Sequence, residues 1–217
     1  MTGSNWKCFC VSSALAALAL GTQGCYVYSA FQGARTLDTG RYSISPSASI
    51  VSFGDDGESS WITTQFGARG AVGLGNRLEL QSRYERVEPH DDNNSNDWGY
   101  NYVDMGFKYG IVKDVLAVGM PVGFMFGEHV DEGESWQLHP SLFLTLPAAR
   151  FLDVNLSTTG LYFLNDSEDN FLWAFNGGLG IRPSDGRFTL MPEMGILTNP
   201  GEGGHFWHWG VGASMEF

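Results

Sequence analysis

The chain has 217 residues, of which 12 are basic and 24 acidic, giving a net charge of -12 and a pI near 4.6. An acidic balance of that size excludes nucleic acid as a partner bound through its phosphates. Three cysteines, two of them within the first ten residues, exclude a disulfide-stapled scaffold.

Residues 1–24 carry one basic residue, Lys7, no acid, and an apolar run from Val11 to Leu20. That run is too short for a spanning helix and reads as an export signal. Gly24-Cys25 then resembles a lipoprotein cleavage site, where a small residue precedes a cysteine that is acylated and becomes the new N-terminus. Thr22 stands where such signals usually carry Leu. The resemblance implies lipidation, with palmitate among the acyl groups, at Cys25, while Cys8 and Cys10 leave with the signal. Ordinary cleavage nearby, with Cys25 a free thiol, is the alternative. No apolar run of about 20 residues follows, so any membrane span must be a closed sheet. Residues 25–39 show no sustained period and read as a periplasmic tether, ahead of a single domain over 40–217.

From Gly40 onward the period is two. Tyr42, Ile44, Ala48 and Ile50 oppose Ser43, Ser45, Ser47 and Ser49 in a first strand, Arg41 to Val51. The second, Trp61 to Leu74, sets Ile62, Phe66, Ala68 and Val72 against Thr63, Gln65, Gly67 and Arg69. In the third, Leu78, Leu80, Ser82 and Tyr84 face away from Arg77, Glu79, Gln81, Arg83 and Glu85, a charged face that needs water or salt partners. Strands four to nine follow the same dyad over Tyr100 to Ile111, Val115 to Phe126, Trp136 to Leu146, Leu152 to Phe163, Phe171 to Arg182 and Phe188 to Ile196. The last strand alternates Trp207, Trp209, Val211, Ala213, Met215 and Phe217 with His208, Gly210, Gly212, Ser214 and Glu216.

Connections after the even strands are short turns, and those after the odd strands are longer: Gly54 to Ser60, Glu88 to Gly99, Gly127 to Ser135, Leu164 to Asn170 and Leu197 to Gly204. Aromatics collect near both ends of the apolar face. The terminal Phe strand, the alternation and the loop asymmetry resemble the small bacterial outer-membrane β-barrels. That resemblance implies an all-β, ten-stranded antiparallel up-and-down transmembrane barrel in the bacterial outer membrane, with the N-terminus periplasmic. It also implies barrel-insertion machinery and outer-membrane lipid, including lipopolysaccharide, as partners. Pro46, Pro121, Pro140 and Pro192 fall inside strands, where bulges or gaps are expected, and two outright breaks would leave eight strands. A soluble lipocalin-like barrel with its apolar face inward is the rival fold.

The inward face collects Arg69, Glu79, Arg83, Glu85, Asp104, Lys108, His139 and Glu193. These residues form either a charge network that fills the lumen or the lining of a narrow water-filled pore. Gly119, Gly123, Gly178, Gly180, Gly210 and Gly212 point inward on the opposite wall and leave space there. The longer loops hold 15 acidic residues and no Lys or Arg, a rim suited to cations or, through divalent bridges, to lipid phosphates. Asp92 onward fails as an EF-hand, with Asp97 where Gly is required and Val103 where Glu is. His205 and His208 lie on opposite faces of a strand and make a poor chelating pair. His139 near Ser141 is the one visible catalytic candidate, and no phosphate loop or nucleophile elbow accompanies it. No cofactor or metal centre is expected. The function implied is a non-enzymatic barrel, structural or passing small solutes. A surface interaction or cation-binding protein and an outer-membrane lipid or peptide hydrolase are the alternatives.

Overall fold

A computed structural model describes residues 27–217, apart from 56–57, 91–98, 128–129, 131–134, 165–170, 184–186 and 200–203. The described residues form β1 (Tyr42–Asp55), β2 (Glu58–Gly75), β3 (Leu78–Pro89), β4 (Tyr100–Val112), β5 (Leu116–Gly127), β6 (Trp136–Leu138), β7 (Ser141–Ala149), β8 (Leu152–Phe163), β9 (Phe171–Ile181), β10 (Phe188–Thr198) and β11 (His205–Glu216). Every neighbouring pair is antiparallel. The wall closes where β11 returns to β1, from Ser43 opposite Glu216 to Gly54 opposite His205. A closed wall leaves no unpaired sheet edge, which is what a span through hydrocarbon demands.

Eleven segments make ten strands, because β6 and β7 are two halves of one. Both hold the same register on β5 (Val122 opposite Leu138, Gly119 opposite Ser141) and on β8 (Leu138 opposite Tyr162, Ser141 opposite Thr159). The interruption is at Pro140, which has no N–H to give. Its carbonyl still accepts from Gly160 N at 3.0 Å, and His139 N donates to the Pro121 carbonyl at 3.0 Å. Pro46 and Pro192 leave comparable gaps without a change of register. Pairing steps from Ile44 opposite Met215 to Ser47 opposite Gly212, and from Leu190 opposite Ile181 to Glu193 opposite Gly178. The eight-stranded alternative is therefore corrected to ten: one forfeited bond per proline is absorbed by a ladder anchored on both sides.

Alternation sorts the side chains as the sequence pattern requires. Asp104 is 8% exposed and its neighbour Met105 61%, and the outward set continues through Ile44, Phe66, Phe107, Met120, Phe175 and Val211. Exposed aromatics ring both ends. Trp61, Phe126, Trp136 and Tyr162 stand toward the long loops, and Tyr42, Tyr109, Phe188 and Phe217 toward the short turns. Tyr42 stacks on Phe217 at 5.0 Å, joining the first strand to the last. The lipocalin-like orientation is overturned by this outward apolar belt.

Two expectations change. The connection over Gly54 to Ser60 is mostly strand, since β1 and β2 pair as far as Asp55 opposite Glu58. The stretch expected as a periplasmic tether lies inside the barrel from Val27 to Leu37. Val27, Tyr28, Ala30, Phe31 and Ala34 are all buried, because the inward face of the wall supplies both apolar surface and partners for their backbone.

Candidate functional site

The lumen is filled by the segment from Val27 to Leu37, held rung by rung. Near the short turns, Leu37 N donates to Glu79 Oε2 at 2.8 Å, and Arg35 Nε donates to Asp153 Oδ2 at 3.0 Å, a carboxylate shared with Arg182. Ala34 N donates to Thr145 Oγ1 at 2.8 Å. Gln32 Oε1 accepts from Gln81 Nε2 at 2.9 Å and Lys108 Nζ at 3.3 Å. In the middle, Ala30 N and Phe31 N both donate to the Glu193 carboxylate, at 2.7 and 2.8 Å. Arg69 donates to the Ala30 carbonyl and Arg83 Nη1 to the Ser29 carbonyl at 2.8 Å. Higher still, Asn176 Nδ2 donates to the Tyr28 carbonyl at 2.9 Å. An extended segment has no hydrogen bonds of its own, so inside a barrel its N–H and C=O groups must be satisfied by side chains from the wall. The lumen residues perform that task.

The same residues also neutralise one another. Arg83 Nε contacts Asp104 Oδ2 at 2.8 Å, its Nη1 lies 3.6 Å from Glu85 Oε1, and its guanidinium stands 5.1 Å from the Tyr102 ring centroid. Lys108 Nζ meets Glu79 Oε1 at 3.2 Å. Arg35 from the plug and Arg182 share Asp153, while Arg69 and Glu193 are engaged on the plug's backbone. Buried charges persist only where paired in this way.

Toward the long loops the interior becomes apolar. Tyr28 packs with Val51, Leu161, Phe163, Leu172 and Leu197, and Val27 with Val87, Tyr100, Tyr102 and Met125. A charged layer and a dry layer thus lie in series along the axis. Between plug and wall lie a cavity of about 110 Å³ beside Phe31 to Leu37 and one of about 30 Å³ beside Val27 to Gln32. A wider vestibule of about 680 Å³ opens at the short-turn mouth, between Arg35, Arg41, Arg77, Lys113, Asp114 and Glu216.

The structure places all eight lumen residues named from the sequence on the inward face, and brings seven of them to the plug or to one another. His139 joins them through Tyr102, the ring over which Arg83 stands. Its Nδ1 lies 3.0 Å from Tyr102 Oη and its Nε2 2.8 Å from Gln137 Oε1. Ser141 Oγ is engaged on the His139 carbonyl and on Thr159, not on the imidazole. Both ring nitrogens are thereby occupied, and the geometry of a base activating a hydroxyl is missing at this pair. Among the described residues no group of three or more His, Cys, Asp or Glu is placed to hold a metal ion. Cys25 and most of the acidic loop residues lie outside the described residues.

Sequence reasoning missed the plug and its partners Thr145, Asn176 and His208. His208 is buried, with Nε2 3.2 Å from Glu193 Oε1 and its ring edge-on to Tyr28 at 4.9 Å. A signal was present. Val27, Tyr28, Ala30, Phe31 and Ala34 are poor residues for a tether in water, and the inward glycines left a hollow of matching bulk. Phe31 fills that hollow: a Cβ added at Gly212 would stand 2.9 Å from Phe31 Cβ, and one at Gly210 2.5 Å from Phe31 Cζ.

A closed ten-stranded antiparallel barrel, apolar outside and charged within, is the architecture of the outer-membrane class. Solved structures similar to the chain include the attachment invasion locus protein Ail of Yersinia pestis, at 12% identity over 82% of this chain and 99% of that one, TM-score 0.38. Others are the neisserial surface protein NspA, at 9% identity over 82% and 99%, TM-score 0.39, and an outer membrane channel of Pseudomonas putida F1, at 11% identity over 88% and 100%, TM-score 0.46. No protein-family model matches the chain, and no curated protein sequence matches it. The wall itself, and not these likenesses, defines the class.

Proposed function

We propose that the chain is a non-enzymatic bacterial outer-membrane barrel that is closed to solutes by its own N-terminal segment. The observation that carries this reading is the pair of adjacent backbone N–H groups, Ala30 and Phe31, seated on one buried carboxylate, Glu193. A lumen evolved for passage would keep such groups hydrated; this one spends them on holding a plug. The direct test is single-channel recording in planar bilayers. The intact chain is expected to be silent across salts and voltages, and a chain lacking residues 27–37 to show discrete steps. Steps from the intact chain of the same size as from the shortened one would refute closure.

Processing belongs to the same reading: residues 1–24 act as an export signal, and Cys25 is acylated on cleavage. The support is Gly24-Cys25 behind the apolar run, and the mass of the purified chain's N-terminal peptide tests it. The acidic long loops support a second role, meeting cations and, through them, the phosphates of outer-leaflet lipid. Deleting residues 91–97 is expected to weaken divalent binding without affecting insertion, and unchanged binding would remove that role.

A further inference from the structure

The plug runs in one direction only. Along β3, Leu37 sits on Glu79, Gln32 on Gln81, Ser29 on Arg83, and Val27 packs with Val87. Because β3 climbs from the short turn to the long-loop end, the segment rises toward that end as its residue numbers fall. Val27 lies where the wall finishes, in the cluster with Tyr100 at the first residue of β4 and Met125 two residues from the end of β5. The interior beneath Val27 already holds the plug, from Tyr28 on Asn176 to Leu37 on Glu79.

We propose that the plug is a through-strand, with its Leu37 end at the short-turn face and its Val27 end at the long-loop mouth, so that its N-terminal side faces the cell surface. This rests on the membrane reading above, which puts the short turns in the periplasm and the long loops at the cell surface. It reverses the expectation that the N-terminus stays periplasmic.

The test uses the full-length chain in its host membrane, with one epitope inserted between Cys25 and Tyr26 and, in a second chain, the same epitope between Asn94 and Ser95. Antibody binding is compared in intact and permeabilised cells. The expected result is that both epitopes are reached on intact cells. If the loop epitope is reached and the N-terminal one appears only after permeabilisation, the through-strand is overturned while the membrane reading stands. If neither is reached until permeabilisation, both fall. Surface binding of the N-terminal epitope alone would also overturn the proposal, since the two would not share a face. Heat-modifiable migration of each tagged chain on gels verifies that the barrel has formed.

Discussion

Glu193 bears more of the plug than any other side chain, accepting from two backbone N–H groups and from His208. Charge-assisted bonds of this kind contribute roughly 1.5–3 kcal/mol each, and stranding their donors costs extra. Glu193→Ala is therefore expected to lower stability by at least about 4 kcal/mol, read from the shift in urea midpoint of the detergent-folded barrel; a shift worth under about 0.5 kcal/mol would show the carboxylate to be idle. Phe31 offers a cleaner test of fit. Gly212→Leu places bulk where the Phe31 ring lies, and overpacking of that sort costs about 1–3 kcal/mol. Combining it with Phe31→Gly, which removes the Cβ met at 2.9 Å together with the ring at a position of positive φ, is expected to recover most of the loss. Additive losses would mean that the two positions do not meet.

At the scale of elements, the wall and the plug differ in how far the sequence discloses them. A strand that faces lipid on one side and charge on the other must alternate, so β3, β4 and β8 were legible to within a residue or two. Their register followed from the short turns, where Asn76 and Asp114 take up positive φ. Pro140 was legible as a fault, but not its consequence, since whether a strand breaks outright depends on how well its neighbours hold both halves. The plug was opaque because an extended segment that neither alternates nor pairs with a strand has no period. Its bonds go to Glu79, Thr145, Glu193 and Asn176, residues 42 to 163 positions away. The charged face of β3 was read as needing water or salt partners. It meets both salt partners and the peptide groups of Ser29 and Leu37.

For the whole molecule, inside and outside have exchanged the roles they hold in a water-soluble protein. Met105, near the middle of β4, is 61% exposed, and in a bilayer that exposure is to hydrocarbon. Met105→Arg is expected to cost about 2–4 kcal/mol in lipid, the penalty for a cation near the midplane. The same change at Tyr109, close to the short-turn end, is expected to cost about 1 kcal/mol or less, measured by reversible unfolding in vesicles. Equal costs at the two depths would count against a transmembrane wall.

The account depends most on residues 27–37 occupying the lumen. The measurement that bears on this directly is oxidative crosslinking of a Phe31→Cys, Gly212→Cys chain, folded in membranes, with each single variant as control. An added Cβ at Gly212 lies 2.9 Å from Phe31 Cβ, so a shift of about 1 Å between plug and β11 brings the pair to the separation a disulfide spans, and the double variant is expected to form an internal disulfide and to migrate faster on a denaturing, non-reducing gel. Free thiols at both positions after oxidation, in a barrel shown by heat-modifiability to be closed, would contradict it.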